Sequence, residues 1–315
     1  MKKYIIPLIF LLTVGIAKSQ TATPLAQYTG NQFIYNPGFA GIYDLYSVNL
    51  SIKKLWIGIP NSPSLISFNF HAPFQNQRNA FGFIYQREVW GPQAVHTTNV
   101  GYAHKIPFGP ASFLSLGIQG GILHAATDWD MVKFVKDPGD PGLGEDRTKT
   151  TEFDANFGAY FQAESFYLGL STRHLTAPRI DRVKMEETGT SLHSRTRPQF
   201  FFIAGYNFEI SDQLDIRPHM LMRYQHNMPL TVSVGTNFVW DYRFFAGVGF
   251  MTGQSAVSLS FAAEVIEGLR VGYSYDMLFG VLRPFQRGSH EISINFFVPF
   301  WNSEANDARL RLRWH

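Results

Sequence analysis

The chain has 315 residues and no cysteine, and aromatic and charged residues each make up 16% of it. The absence of cysteine excludes a disulfide-stabilised scaffold. Lys and Arg number 27 against 24 Asp and Glu, but three lysines lie among the first 19 residues, and without them the two counts are equal. A nucleic-acid or anionic-lipid partner is therefore not indicated by charge, because such partners require a basic patch.

The N-terminus, MKKYIIPLIFLLTVGIAKSQ, has the three parts of a secretory signal peptide. Lys2 and Lys3 form a basic start, an apolar run follows, and the small residues Ala17 and Ser19 precede the expected cleavage site. The apolar run is shorter than the roughly 20 residues of a membrane-spanning helix. Residues 1–19 are therefore predicted to be removed, and the mature chain is predicted to leave the cytoplasm.

Residues 20–43 precede the first predicted strand and contain the turn-forming sequence Asn36-Pro37-Gly38. The aromatic residues that flank this turn are Phe33, Tyr35 and Phe39. If the segment were free in the periplasm, these aromatic side chains would be exposed to water and would bury no surface. We therefore expect the segment either to pack inside the mouth of a barrel as a plug or to contact a periplasmic partner.

From residue 44 to residue 300, apolar and polar side chains alternate with the period of two that is typical of strands. In GLRVGYSYDM, for example, the odd positions from Leu269 to Met277 are apolar or aromatic, while Arg270 and Asp276 occupy even positions. Each segment has about 9 to 13 residues, the length that a tilted strand needs to cross a bilayer. About fourteen segments are predicted, at 44–54, 63–72, 79–88, 93–105, 112–123, 151–163, 165–174, 197–209, 213–226, 229–240, 242–252, 255–265, 268–277 and 289–299.

The lengths of the connections support an even strand number. The long loops 124–150, 175–196 and 278–288 all join an odd segment to an even one, whereas every connection of the other kind is short. Outer-membrane barrels have long exterior loops and short periplasmic turns. The predicted fold is therefore all-β, a transmembrane antiparallel β-barrel of about fourteen strands. Aromatic residues near segment ends, where the membrane interfaces would lie, are Trp56, Trp90, Trp240 and Tyr242.

A soluble β-sandwich is the alternative fold, because its strands alternate as well. Several of the segments are long for sandwich strands, which usually have about 5–6 residues. Enzymatic activity and a cofactor are not predicted, since the sequence has no nucleophile elbow, phosphate-binding loop or dinucleotide fingerprint.

His290 and Glu291 are adjacent, as in some metal sites. Neighbouring residues on a strand point to opposite faces and cannot converge on one ion without a bulge. We therefore predict a lumenal Glu291 and a rim-located His290, with neither a metal nor a catalytic role. The acidic loop 137–147 is consistent with calcium binding and equally with surface turns.

Charged residues of both signs are predicted to face the lumen. They are Glu152, Asp154, Arg173, Asp215, Arg217, Arg223, Arg270 and Asp276. Such side chains either line a channel or grip a plug, or they pair with one another across the barrel, because inward polar groups need partners where water is scarce. The sequence leaves both alternatives open.

Three short motifs occur in the chain: YNPGFAG at 35–41, KKLWIGI at 53–59, and YSYD at 273–276 followed by GSHEI at 288–292. Together they resemble the PorP/SprF family of outer-membrane proteins of the type IX secretion system, the first being similar to the family's Asn-Pro-x-x-Ala-Gly and the second to its basic-x-Trp-x-Gly. The family-motif residues are Asn36, Pro37, Ala40, Gly41, Trp56, Gly58, Tyr275, Asp276, Gly288, Ser289, His290 and Glu291. The tail at 301–315 departs from the family pattern.

The resemblance implies a non-enzymatic barrel in the outer-membrane lipid. It would support the secretion or surface attachment of adhesin-like proteins that carry a C-terminal sorting domain. The family is linked to gliding motility and acts beside periplasmic and lipoprotein components of the machine. The exterior loops are expected to meet the cargo. The alternative function is a transport barrel for hydrophobic compounds or small solutes, because fatty-acid transport barrels have the same strand count.

Overall fold

The computed structural model describes residues 25–109, 111–131, 147–184, 191–280 and 282–299. The predicted signal peptide at 1–19, the tail at 301–315 and residues 137–146 of the acidic loop lie outside this part of the chain. Among the described residues, no helix has the length and apolar character needed to cross a membrane.

The described chain forms 17 strands. They are β1 (Leu45–Lys54), β2 (Ser64–Pro73), β3 (Asn79–Trp90), β4 (Gln93–Gly109), β5 (Ser112–Asp128), β6 (Arg147–Gln162), β7 (Phe166–Arg173), β8 (Arg179–Lys184), β9 (Ser191–Arg195), β10 (Gln199–Tyr206), β11 (Phe208–Ser211), β12 (Leu214–Gln225), β13 (Thr231–Trp240), β14 (Phe244–Met251), β15 (Ala256–Ile266), β16 (Leu269–Leu278) and β17 (Ser289–Pro299).

The strands close into an antiparallel barrel. The first strand, β1, pairs with β2 on one side and with the last strand, β17, on the other. Closure is completed because β10 pairs with both β7 and β12. The short β11 continues β10 along β12, so the barrel has 14 strand positions. The predicted antiparallel barrel and its strand count are confirmed.

Side chains along each strand face the lumen and the membrane in turn. On β17, Ile292 is 52% exposed, whereas the preceding Glu291 is 1% exposed. The same alternation runs along β16, where Val271 and Tyr273 are exposed and Arg270 is buried. The face of each strand that the sequence pattern assigned to lipid is therefore the outward one.

An apolar belt surrounds the barrel, and on β3 to β6 its two borders are visible. Arg87, His96, His124 and Thr151 occupy one row of cross-strand neighbours at the outer border. The rows that begin at Tyr85, Phe83 and Phe81 follow towards the periplasm, and the paired Asn79 and His104 form the inner border. Such a band, with polar and aromatic side chains at its edges, fits the hydrocarbon layer of an outer membrane.

Two of the predicted long loops contain more strand than the alternation indicated. β5 continues to Asp128 and β6 begins at Arg147, so the predicted loop 124–150 is shorter. The pattern was obscured there because Thr148, Thr150 and Thr151 give neither face an apolar character. The predicted loop 175–196 contains β8 and β9, which form a two-stranded sheet of their own.

Two of the aromatic residues predicted to lie at the membrane interfaces lie elsewhere, and that prediction was wrong for them. Trp90 belongs to the inward-facing set of β3 and lines a cavity in the lumen. Trp56 follows β1 and packs against Met251, Ala256 and Leu278. Proximity to a strand end does not determine the face of a residue, and in a loop the two-residue period no longer applies.

An arginine in the centre of the apolar belt should destabilise the barrel. Val100 is 64% exposed and lies midway between the two borders. We expect Val100→Arg to lower the free energy of unfolding in lipid vesicles by about 2–4 kcal/mol, and Thr151→Arg at the outer border to lower it by no more than about 1 kcal/mol. Equal losses in a guanidinium titration would contradict the assigned position of the membrane.

Candidate functional site

The N-terminal segment, residues 25–43, lies inside the barrel. It contains three short 3-10 helices, Tyr28–Gly30, Gln32–Ile34 and Pro37–Phe39. The third helix begins at a polar cap, because the Asn36 side-chain oxygen accepts a hydrogen bond from the Gly38 amide at 2.8 Å and Pro37 occupies the first helical position. The turn that the sequence predicted is therefore formed within the lumen.

The aromatic residues of the N-terminal segment pack against the lumenal wall. Phe33 and Phe39 make edge contacts with the ring of His71 on β2, with centroid distances of 5.2 and 5.8 Å. Tyr35 packs against Phe201 of β10. Burial raises the pKa of Tyr43 to about 12, so this phenol is neutral. The flanking aromatics therefore pack inside the barrel, against inward-facing residues of its wall.

The turn at Asn36 fits into a groove of glycines on three adjacent strands. These are Gly117 of β5, Gly158 of β6 and Gly169 of β7. A Cβ atom at Gly158 would lie 2.0 Å from the Asn36 side-chain oxygen, and one at Gly117 would lie 2.3 Å from the carbonyl carbon of Pro37. Any larger residue at these positions would occupy the space that the turn fills.

Asn36 also links the turn to the barrel wall. Its side-chain amide donates hydrogen bonds to the carbonyl oxygens of Ala159 at 3.0 Å and Leu170 at 3.3 Å. These two residues are paired across β6 and β7. In addition, the Ser171 hydroxyl donates to the Tyr35 carbonyl at 2.7 Å. One asparagine thus caps the turn and binds two wall strands.

Ala40 and Gly41 complete the first motif, and both need to be small. Ala40 is 0% exposed. Gly41 has a φ of 68°, which favours glycine, and a Cβ there would lie 2.4 Å from that of Ala80. Its amide donates to Nδ1 of His71 at 3.1 Å. The residues of the motif Asn-Pro-x-x-Ala-Gly therefore give this part of the segment a shape that fits the inner wall.

A methyl group in the glycine groove should displace the N-terminal segment. We expect Gly158→Ala to destabilise the seated turn by about 1–3 kcal/mol, the usual cost of overpacking. The measurement is protease sensitivity between residues 25 and 43 in detergent-solubilised barrels. Gly120→Ala is the matched control, because Gly120 faces outward on β5 and a Cβ there meets its nearest atom, in Phe153, at 3.4 Å. Equal protection of both variants would contradict the role of the groove.

A buried charge cluster joins the other motifs. The ammonium group of Lys53 on β1 lies 2.8 Å from the Asp276 carboxylate on β16 and 3.3 Å from the Glu291 carboxylate on β17. All three side chains are at most 1% exposed. Because burying a charge is costly unless it is paired and hydrogen-bonded, these three side chains are stable only as a group.

Glu291 connects this charge cluster to the N-terminal segment. Its two carboxylate oxygens accept hydrogen bonds from the backbone amides of Ala26 at 2.7 Å and Gln27 at 3.1 Å. The Ser293 hydroxyl donates to the Gln27 side chain at 2.9 Å. Hydrogen bonds to a carboxylate are among the stronger ones in proteins. The predicted lumenal carboxylate therefore binds the start of the N-terminal segment.

The remaining motif residues form the outer rim beside the cluster. The Trp56 amide donates to the Ser289 hydroxyl at 3.3 Å, and the Ile57 amide donates to the Gly288 carbonyl at 2.9 Å. Gly288 has a φ of 89°, and a Cβ there would lie 2.3 Å from the ring of Tyr275. These contacts fasten the loop after β1 to the loop before β17.

His290 and Gly58 also belong to this rim, away from the lumen. His290 shares a hydrogen bond of 2.6 Å with the Tyr273 hydroxyl on the outer face, while Glu291 points inward. Gly58 has a φ of 105° in the loop after β1. Within the described part of the chain, no three His, Cys, Asp or Glu side chains are grouped as metal ligands.

The other lumenal charges mostly pair with neighbours. Asp215 binds Arg217 at 2.8 Å, and Asp154 lies 2.9 Å from His174. Glu152 contacts Arg179 at 3.0 Å. This supports pairing rather than an open, charge-lined channel. Arg173 and Arg223 line a cavity, and the Arg270 guanidinium lies over the Phe245 ring, 3.7 Å from its centroid.

Sequence reasoning missed two parts of this site. Lys53 has the same inward parity as its neighbour Ser51 on β1, so the alternation alone would have placed it in the lumen opposite Glu291. Inward-facing glycines in the middle of strands, such as Gly117 and Gly158, mark a close approach of backbone and were a usable sign of an internal ligand or segment.

Removing the lysine should destabilise the barrel strongly. We expect Lys53→Met to lower the free energy of unfolding by about 3–5 kcal/mol, because two buried carboxylates lose their cation. Adding Asp276→Asn should restore part of the loss. The control is Lys149→Met, an exposed lysine on β6, with at most about 1 kcal/mol. Similar small losses for Lys53→Met and Lys149→Met in a guanidinium titration would contradict the charge cluster.

Solved structures with a similar fold are bacterial outer-membrane barrels. The toluene transporter TodX of P. putida has a TM-score of 0.53 at 8% identity, with 88% of this chain and 95% of that chain covered. A FadL homologue of Pseudomonas aeruginosa has a TM-score of 0.51 at 11% identity, with 89% and 99% covered. At such identities the likeness concerns the fold alone. With its apolar belt and closed wall, this chain is a multi-strand β-barrel of the outer membrane.

The family follows from the sequence match. The sequence model of a protein family, described as type IX secretion system membrane protein PorP/SprF, matches residues 17–296. The chain belongs to this family. No curated protein matches it. The resemblance inferred from the three motifs is thereby confirmed. Membership implies contact with components of the secretion machinery, and family and fold together indicate a non-enzymatic membrane component.

Proposed function

We propose that this chain supports the secretion or cell-surface attachment of adhesin-like proteins that carry a C-terminal sorting domain, as part of a type IX machine linked to gliding motility. The observation that carries this proposal is the family match over residues 17–296. The barrel itself performs no chemistry in this function. It contributes a membrane-embedded wall, exterior loops and a filled lumen.

The filled lumen favours this role over transport. The N-terminal segment is held at its start by Glu291 and near its middle by Asn36. These two anchor points face each other across the lumen, one on β17 and the other on β6 and β7. A barrel closed in this way does not conduct steadily. The similar toluene transporter argues for transport only through its fold, so we keep transport as an outcome of the test.

The two ends of the barrel suit different partners. We propose that the exterior loops around 129–146, 174–198 and 279–288 meet the sorting domain of the cargo. The periplasmic mouth presents both signs of charge, including Lys105, which lies 2.7 Å from Asp44, together with Arg78 and Glu164. Such a mixed surface suits periplasmic and lipoprotein components of the machine, because charge complementarity selects partners.

Deleting the exterior hairpin should abolish display of the cargo. The variant replaces residues 179–195 by a short glycine-serine linker, and the barrel should still close because β8 and β9 form a separate sheet. The measurement is surface labelling of a reporter fused to a C-terminal sorting domain. The control variant replaces the periplasmic turn 74–78 by a linker of equal length. Normal display after the hairpin deletion would contradict the loop assignment.

The conductance of the purified barrel separates the two functional classes. Secretion support predicts a closed barrel in planar bilayers that co-purifies with a large secreted adhesin. A steady open pore without such a partner would favour the transport alternative.

A further inference from the structure

A row of nitrogen-bearing side chains crosses four neighbouring strands on the outer face of the barrel. Arg87 on β3, His96 on β4 and His124 on β5 are successive register partners. Lys149 on β6 continues the row one step further towards the exterior, opposite Ala126. We call Arg87, His96, His124 and Lys149 the basic row. It lies at the outer border of the apolar belt, the depth at which the headgroups of the outer leaflet meet a barrel.

The members of the basic row are close to one another. The ring centroids of His96 and His124 are 6.3 Å apart, and Arg87 lies near enough to His96 for their charges to interact. Directly opposed residues of an antiparallel pair have Cβ atoms about 4.5–5.5 Å apart, and diagonal neighbours such as His124 and Lys149 are about 7–8 Å apart. Neighbouring members of the row can therefore bind the same phosphate group.

Hydroxyl groups orient both histidine rings. The Tyr85 hydroxyl lies 2.9 Å from Nδ1 of His96, and the Thr151 hydroxyl lies 2.8 Å from Nδ1 of His124. When a hydroxyl donates to Nδ1, the neutral ring carries its hydrogen on Nε2. Each ring can then donate from Nε2 to a ligand, so the histidines add donors to the row even when they are uncharged.

The carboxylates of these four strands are directed away from the basic row. Glu88, Glu152 and Asp154 occupy the alternate positions and face the lumen. Among the described residues of β3 to β6, the one outward carboxylate is Asp128, which lies opposite Arg147 at the exterior end of β5. The basic row makes no ion pair with a described residue. Its positive charge therefore favours an anionic ligand.

The surface below the basic row distinguishes a lipid from a free anion. Ile122, Phe153 and Val100 follow the row towards the periplasm, and all three are exposed on the outer face. Tyr85, which contacts His96, is an aromatic residue at the level of the membrane interface. A lipid would place its phosphate at the row and its acyl chains on this apolar surface, whereas a free anion would contact the row alone.

We infer that the basic row binds a lipid of the outer leaflet that carries phosphate on its headgroup. Arg87 supplies paired donors that match phosphate oxygens, Lys149 adds a second full charge, and the histidines donate between them. The charges of the mature chain balance, so composition gave no sign of this partner. The row exists only when four strands are aligned in the sheet. The inference does not depend on the role in secretion.

The test uses the full mature chain in detergent, mixed with equal amounts of two lipids. The first is an acylated glucosamine disaccharide that carries two phosphates, and the second is the same lipid after enzymatic removal of both phosphates. Native mass spectrometry counts the lipids that stay bound when the detergent is removed. The phosphorylated lipid should be retained at least about tenfold more often, because several basic groups act on it together. Equal retention of the two lipids would overturn the inference.

Variants then test the position of the site. Arg87→Gln and Lys149→Gln should each lower the preference for the phosphorylated lipid at least about threefold, and the double variant should remove most of it. The control is Arg243→Gln, which removes an exposed arginine from the periplasmic turn between β13 and β14 and should leave the preference unchanged. Resistance of the unheated barrel to SDS checks that each variant is folded. A preference retained in the folded double variant, or lost equally in the control, would overturn the assignment to the basic row.

Discussion

A closed sheet of fourteen strands encloses more space than its own side chains can fill. Barrels of about eight strands are narrow enough to be packed by inward side chains, and those of about sixteen leave a water-filled channel. This barrel lies between the two in strand number. The part of its lumen that the wall side chains leave open is filled by the N-terminal segment of the same chain. The buried aromatic clusters consist of residues from the N-terminal segment packed on inward residues of the wall. The position of the segment therefore decides whether the lumen is a core or a channel.

Two kinds of contact hold the segment, and they differ in specificity. Apolar packing, as of Phe33 and Phe39 on His71, gives little direction. Direction comes from Asn36 in the glycine groove and from the backbone amides at Ala26 and Gln27, which bind Glu291. Binding at Asn36 depends on shape, and binding at Glu291 depends on charge. A change in salt or pH would affect the two anchor points of the segment differently, because only the one at Glu291 depends on ionised groups.

The barrel itself was largely predictable from the sequence, because membrane strands impose a strict period of two. That period placed Glu291 in the lumen and His290 on the opposite face, and the alternation of short and long connections yielded the strand number. Strand ends were less predictable. Trp90 lies on the lumen side, and polar residues such as Thr150 hide the extension of β6 beyond the membrane.

The internal site was predictable only in its parts. The turn at Asn36 and the carboxylate at Glu291 were both identified, but nothing in the local sequence relates residue 26 to residue 291. Their contact depends on closure of the whole sheet, which periodicity does not describe. Lys53 was overlooked for a related reason: a lysine near a strand end looks like a rim residue until its partners on β16 and β17 are known.

The charge cluster lies across the seam of the barrel. Lys53 belongs to the first strand, and Glu291 belongs to the last, which reaches its place beside β1 only when the sheet closes. Glu291 then lies 3.3 Å from Lys53 and binds the amides of Ala26 and Gln27. The earliest part of the described chain is thus fastened by one of its latest parts. During biogenesis the segment cannot be fixed at this end until the final strand has been inserted, so a barrel with an incomplete wall also has an unfastened interior.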